Sequence, residues 1–319
     1  NLGTPDAPTK GALRPYLKQF LSDPRVVEVP RLIWWMILHG IILNTRPARS
    51  AEAHSEVWTD RGSPLLYHLM DQVSGVQAKL EQSLGSHVMV RGAMRYGNPS
   101  IPSVLQDMFT AGIQRLVVLP LYPQYAGATM ATANDQFFRA MMKQTWQPSV
   151  RTVARYFDDS RYIEALARSI ETSVAAMEQR PETLVVSYHG MPKRYLMEGD
   201  PYHCQCQKTT RLLRERLGWT DIDIVTTFQS VFGPEEWLKP YTVEEVARLA
   251  EEDGKKRIAV VAPAFSADCI ETLEEINEEI KEAFEEAGGE VFEYIPCLNA
   301  GEEHVAFLVD LIKENIHGW

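Results

Sequence analysis

Short apolar runs alternate with longer segments of helical period along the whole chain. Runs at 86–94, 115–121, 149–155, 182–188, 222–228, 257–263 and 290–296 read as strands. Several, such as the LVVSY of 184–188, are continuous rather than alternating, which is the pattern of parallel strands covered on both faces. Between them the periodicity predicts helices near 50–84, 101–111, 127–146, 159–180, 202–217, 242–253, 268–288 and 302–316. That alternation predicts βαβ units with right-handed crossovers, an α/β chain. At 319 residues, two parallel sheets of about four strands each, with helices on both faces, fit better than one very wide sheet. The opening Asn1-Leu2-Gly3-Thr4-Pro5-Asp6 reads as a loop leaving a strand, so the expectation is a fragment whose first sheet is short by one member.

Composition narrows the function more than the fold. Hydrophobic residues make up 45% and charged residues 24%, an ordinary soluble globular balance. With 43 acids against 32 bases, a net charge of −11 and no basic tract, a nucleic-acid partner is not expected. Four cysteines, Cys204, Cys206, Cys269 and Cys297, are too few for a disulfide scaffold and suit a reduced, cytoplasmic protein. No signal peptide is expected. The most apolar stretch, 32–43, is interrupted by His39 and Gly40 and falls short of the roughly 20 residues a spanning helix needs. It can touch a membrane surface without crossing.

In open parallel sheets ligands sit beyond the carboxyl ends of the strands. No glycine-rich phosphate loop follows any strand here, so nucleotide chemistry is disfavoured. His189 ends the LVVSY run, where an imidazole can meet a metal, take up a proton or simply cap its loop. From 268 to 287 the residues Ile270, Leu273, Ile276, Ile280 and Phe284 form one helical stripe. Nine acids and the single base Lys281 share that segment. Glu271, Glu275 and Glu279 recur at every fourth position, stacking three carboxylates along one line. Such a line is either a solvated face or an entry route for a cation. Glu271 stands apart because it lies in the first turn, beside the strand-end loop. Carboxylates with one imidazole suit a divalent ion held weakly enough to be passed on. The Cys204-x-Cys206 pair lacks the partner spacing of a zinc site. Aromatic residues collect early and at strand ends (Trp34, Trp35, Tyr96, Tyr122, Tyr125, Tyr188), enough to line a slot for a large planar ligand.

The runs LVVSYHGMP (184–192) and EGDPY (198–202) closely resemble the ferrochelatase signature. So do NLGTPDAPT at the start, MRYGNPSI (94–101), LPLYPQYAGATMA (119–131), FQSVFGPEEWLKPYT (228–242) and PAFSADCIETLEEI (263–276). The matches run in order over essentially the whole chain and look most like Gram-negative bacterial variants. The resemblance implies insertion of Fe²⁺ into protoporphyrin IX with release of two protons, the terminal step of haem biosynthesis. It implies two similar Rossmann-like domains, 1–125 with a hydrophobic lip loop around Trp34 and Trp35, and 126–301 with His189 and Glu271. The C-terminal helix, 302–319, is expected to return to the first. By motif, His189 and Glu271 match the family's inner pair for metal and proton, and Glu275 and Glu279 its acidic path. Tyr188 and Asp268 are expected to orient that pair. Leu2, Trp34, Tyr96, Tyr122 and Tyr125 are expected to contact the porphyrin, and the lip to load it at a membrane surface as a peripheral contact.

Metallation explains the residue types. Two pyrrole protons must leave and Fe²⁺ must shed water, while a flat ring hides its lone pairs in plane; holding the macrocycle bent would expose them. Departures from the pattern also matter. Animal enzymes of the family carry a cluster-ligating cysteine after the YPQY-like motif, where Ala126-Gly127-Ala128 stand here. The chain ends Ile316-His317-Gly318-Trp319 without a cysteine-rich tail. No cofactor is expected, and no animal-type [2Fe–2S] cluster; some bacterial relatives use other cysteines, which leaves Cys204, Cys206 and Cys297 as the alternative ligands. Val231 stands where a basic residue is common in the FQS motif. A chelatase for a ring with more carboxylates would call for more Arg and Lys than this aromatic inventory offers, and a haem carrier would need no carboxylate facing its histidine.

Overall fold

The computed structural model describes residues 1–319. Contacts divide them into two compact units, each described by itself. Unit 1 comprises Asn1–Leu121, Ala126–Ala154 and Ala300–Trp319, and unit 2 comprises Tyr122–Tyr125 and Arg155–Asn299.

Unit 1 departs from the expected four-stranded sheet. It holds two separate parallel pairs: β1 (Gly3–Thr4) with β2 (Tyr96–Gly97), and β3 (Arg115–Val118) with β4 (Ser149–Thr152). The run 86–94, expected as a strand, lies outside any ladder, because a strand persists only where a neighbour accepts its hydrogen bonds. Pairing with the N-terminal segment begins at its end, where the Asn1 amine donates to the Ala93 carbonyl, and continues as Arg95 and Tyr96 N–H donate to the carbonyls of Asn1 and Leu2. Gly3 is required there, since at φ +137° a Cβ would fall 1.9 Å from the Tyr96 carbonyl oxygen. The stretch Ala126–Ala154 belongs with unit 1, across the boundary drawn from sequence at 125/126, because β4 inside it is the ladder partner of β3.

Helices dominate this unit. The helix Lys10–Leu21 was not anticipated, although Thr9 caps it by accepting from Ala12 N–H and Leu13, Leu17 and Leu21 form its buried stripe. The segment expected as a lip loop is also helical. Arg31–Ile37 runs through a π-helical turn, Leu38–Ile42, into Leu43–Val57, with Leu38 and Leu43 buried against the first helix. The helix expected at 50–84 is divided by a tight turn in which Thr59 and Gly62 exchange backbone hydrogen bonds, and Pro64 opens the second part, Pro64–Leu84. Glu302–Ile316 packs on that helix and on β3.

Unit 2 is a complete parallel sheet. Strands β5 (Thr183–His189), β6 (Asp223–Gln229), β7 (Arg257–Val261) and β8 (Val291–Ile295) stand in the order β6-β5-β7-β8. The ladder of β5 with β6 runs unbroken from Thr183↔Asp223 to His189↔Gln229. Directly paired residues share a face and successive residues alternate, so each side of β5 faces a different layer. Leu184, Val186 and Tyr188 are buried on the side of Ser160–Ala176 and Tyr202–Leu217. Val185, Ser187 and His189 lie on the other side, where Val185 joins Ile258, Val260, Val246, Leu249, Ile276, Ile280 and Phe284 in one core.

The acidic segment is not one regular helix. Ile270–Leu273 is followed by a π-helical stretch, Glu275–Ile280, and then by Lys281–Glu286. The change is visible where Glu279 N–H joins Glu278 N–H on the carbonyl of Glu274. The strict every-fourth-residue line of acids is therefore broken.

Candidate functional site

The site is assembled at the carboxyl edge of the unit 2 sheet from three strand ends. His189 is the last residue of β5, half-buried, with its ring centroid 6.4 Å from that of Phe265 in the loop after β7. Its Nδ1 lies 2.7 Å from the Gly190 carbonyl oxygen. A carbonyl only accepts, so Nδ1 carries the proton and Nε2 keeps a lone pair for a proton or a metal. Gly190 is needed for this. Its N–H donates to the Gln229 carbonyl at 2.7 Å, and a Cβ would sit 2.5 Å from that oxygen and 3.1 Å from the Trp237 ring.

Glu271 lies half-buried in the first turn after the β7 loop, with its backbone carbonyl accepting from Gln229 Nε2 at 2.7 Å. One turn on, Glu275 is held by three donors: Ser230 N–H at 2.5 Å, Ser230 Oγ at 2.5 Å and Gln229 Nε2 at 3.2 Å. Burial raises Glu275 above the usual carboxylate range, opposed by the Ser230 hydroxyl, the nearby His189 and the remaining donors. Ser230 makes this grip with φ +62°, a left-handed backbone that a non-glycine residue adopts at some cost. Glu279 is exposed. No three His, Cys, Asp or Glu side chains converge to hold a metal ion.

The two residues expected to orient the pair are placed differently from one another. Tyr188 points through the opposite face of the sheet from His189, fully buried, with its hydroxyl 3.0 Å from Thr210 Oγ1. The Gly190 carbonyl does the orienting instead. Asp268 is buried and accepts from the Tyr294 hydroxyl, Thr272 Oγ1, Cys297 N–H and Asn299 Nδ2. It ties the loop after β7 to the loop after β8 and so fixes the turn that carries Glu271, without touching the Glu271 carboxylate. The sequence reading missed Gln229 and Ser230. The polar pair ending a buried strand was the available signal, but their partners depend on strand register.

The aromatic residues fall in both units. In unit 2, Tyr122 is buried, while Tyr125 is half-exposed, its N–H donating to Gln205 Oε1. In unit 1, Leu2 and Trp34 are half-exposed, and the Trp34 indole donates to the Leu21 carbonyl. Tyr96 leaves the set of ligand contacts: it has no exposed surface, packs edge-on to Phe20 and donates its hydroxyl to Asp23.

This α/β fold of parallel sheets flanked by helices is shared with solved chelatases. SirB from Bacillus subtilis with Fe³⁺ matches it at a TM-score of 0.56 and 13% identity, over 80% of this chain and 92% of that one. The sirohydrochlorin chelatase SirB from Bacillus subtilis subspecies spizizenii in complex with cobalt matches at 0.50 and 10%, over 77% and 88%. These likenesses concern fold alone. The ferrochelatase family model matches residues 1–316. The ferrochelatase of Rhodobacter capsulatus is 58% identical over all of this chain and 92% of its own length. That of Marinobacter nauticus is 54% identical over all of this chain and 86% of its own. The chain belongs to the ferrochelatase family, the lyases that insert ferrous iron into protoporphyrin in the last step of haem synthesis.

Proposed function

We propose that this chain inserts Fe²⁺ into protoporphyrin IX at the carboxyl edge of the unit 2 sheet, with His189 and Glu271 as the catalytic pair. The observation that carries this reading is the His189 ring. Its Nδ1–H is spent on the Gly190 carbonyl, leaving Nε2 to take a pyrrole proton or meet the incoming iron. Glu271 supplies the second basic group, a carboxylate that can hold the ion or receive the other proton. Glu279, exposed, and Glu275, drawn inward by Ser230, form the acidic path that brings the hydrated cation to the pair. In the same unit, Tyr122 and Tyr125 supply apolar contacts to the ring.

No resident cofactor enters this scheme; iron is substrate. An animal-type [2Fe–2S] cluster is not part of it, since Ala126-Gly127-Ala128 stand where those enzymes carry a cluster-ligating cysteine. No helix is long and apolar enough to cross a membrane. A peripheral contact at the cytoplasmic face is supported by the exposure of Leu32 (76%), Trp35 (59%) and Ile41 (60%) on the lip helices. Residues 10–49, around that lip, carry seven Lys and Arg against two acids in a chain of net charge −11, which suits an anionic lipid surface.

The test is anaerobic incubation with Fe²⁺ and protoporphyrin IX, following porphyrin fluorescence and the haem bands. Multiple turnovers that disappear in His189→Ala support the reading. Stoichiometric quenching without turnover would mean a tetrapyrrole carrier instead.

A further inference from the structure

Gln229 occupies a position that no motif reading assigns. It is the last residue of β6, 2% exposed, and stands directly opposite His189 in the parallel ladder. Its carboxamide makes contacts at both ends. Oε1 accepts from Ser187 Oγ at 2.8 Å, two residues before His189 on β5. Nε2 donates to the backbone carbonyl of Glu271 at 2.7 Å and to the Glu275 carboxylate at 3.2 Å. A backbone carbonyl has no proton to give, so the amide orientation is determined: nitrogen toward the acidic segment, oxygen toward the Ser187 hydroxyl. The Gln229 main-chain oxygen meanwhile takes Gly190 N–H, next to the imidazole. One residue thus touches the strand that carries His189 and the turn that carries Glu271, where the acidic segment leaves α-helical for π-helical spacing.

We propose that Gln229 is a positioning residue for metal insertion, setting the Glu271 turn at a fixed place relative to the end of β5. This rests on the chelatase reading of the site. A carboxamide of this length meets the requirement because it offers two donors at one end and an acceptor at the other. Glutamate would keep the acceptor, lose both donors and face Glu275 with like charge. Leucine would keep the bulk and lose every bond. Catalytic groups displaced by about 1 Å commonly lose about 10²-fold in rate, while binding of a large apolar ring at other contacts is untouched.

The experiment compares wild type, Q229L, E271Q and the double variant for anaerobic kcat, metal-free protoporphyrin affinity by fluorescence titration, and far-UV circular dichroism. Q229L is expected to lower kcat by about 10²-fold with porphyrin affinity and dichroism unchanged, a split that general loosening would not give. Added to E271Q it should cause no further loss, because it acts through Glu271. Wild-type kcat in Q229L, or losses that multiply in the double variant, would overturn the proposal. Should Q229L not fold, S187A removes the donor to Gln229 Oε1, together with a 2.9 Å contact to Thr242 Oγ1, and is expected to lower kcat by about 5-fold, the worth of one hydrogen bond; unchanged kcat there overturns it equally. An inactive wild type removes the chelatase reading and this inference with it, whereas an active wild type with an indifferent Q229L removes this inference alone.

Discussion

The two units answer the same alternating pattern of apolar runs and helices in different ways. Unit 2 completes a four-stranded ladder, and its strand ends become rigid points from which His189 and Gln229 project. Unit 1 has only two short pairs, and one side of it is fastened by side chains. Asp23, 2% exposed at its side chain, is ion-paired with Arg95 and accepts from Thr132 and the Tyr96 hydroxyl, joining the Lys10–Leu21 connection, β2 and the Thr132–Met141 helix. A ladder fixes positions through repeated backbone bonds and tolerates side-chain change; a charge network concentrates the same task in a few atoms. The proposed catalytic pair lies where the ladder is.

This contrast can be broken by removing the centre of each unit. Phe284→Ala takes a fully buried ring from the unit 2 core and is expected to cost about 3–5 kcal/mol, read by denaturant unfolding. Asp23→Asn should cost unit 1 a comparable amount, about 3–5 kcal/mol, because it strands the buried Arg95 charge. A loss under about 1 kcal/mol, in the range of a surface pair, would mean that the network is ornamental and the comparison false. Acid offers an independent reading of Asp23. Burial pulls its carboxyl upward, but the Thr132 hydroxyl, Arg25 N–H, Arg95 charge and Tyr96 hydroxyl outweigh that and hold it below the usual range. Its contribution is therefore complete above the unfolded value of about 3.9 and is lost as pH falls through the lower folded value. Asp23→Asn should flatten that part of the wild-type stability profile.

Two smaller changes sharpen the picture within unit 2. Gly190→Ala places a Cβ against the Gln229 carbonyl and should cost about 1–3 kcal/mol and loosen the His189 ring, seen as lower kcat with porphyrin affinity kept. Glu279→Gln, on an exposed position, should change stability by less than about 0.5 kcal/mol and raise the KM for Fe²⁺ only. A fall in kcat of the size seen for a buried acid would place Glu279 inside the site rather than on the approach.

What could be read from the chain follows the same division. The strands of unit 2 were legible because runs such as LVVSY and RIAVV are continuous, bounded and long enough to make a ladder. The 86–94 run carried the same signal, yet strand formation is a property of pairs, and only its end, Ala93 and Met94, finds backbone partners, with the ladder forming just beyond it at Tyr96–Gly97. The lip was read as a loop because residues 32–43 are apolar on all sides, with His39 and Gly40 among them, so no single helical face stood out. The wide turns at Leu38–Ile42 and Glu275–Ile280 left no mark, since one extra residue per turn does not disturb composition. His189 at a strand end and Glu271 in a first turn could be located from local pattern alone. Gln229 and Ser230 could not be given roles that way: their partners lie 42 and 45 residues away in sequence and depend on register and on a left-handed backbone.

The central claim is that His189 and Glu271 act on the metal and the pyrrole protons rather than on the fold. The most direct measurement is single-turnover haem formation by Glu271→Gln under anaerobic conditions, alongside protoporphyrin binding and circular dichroism on the same sample. The account predicts insertion slowed by about 10²–10⁴-fold with porphyrin affinity and dichroism those of the wild type. Haem formation at the wild-type rate in a folded, porphyrin-bound variant would contradict it.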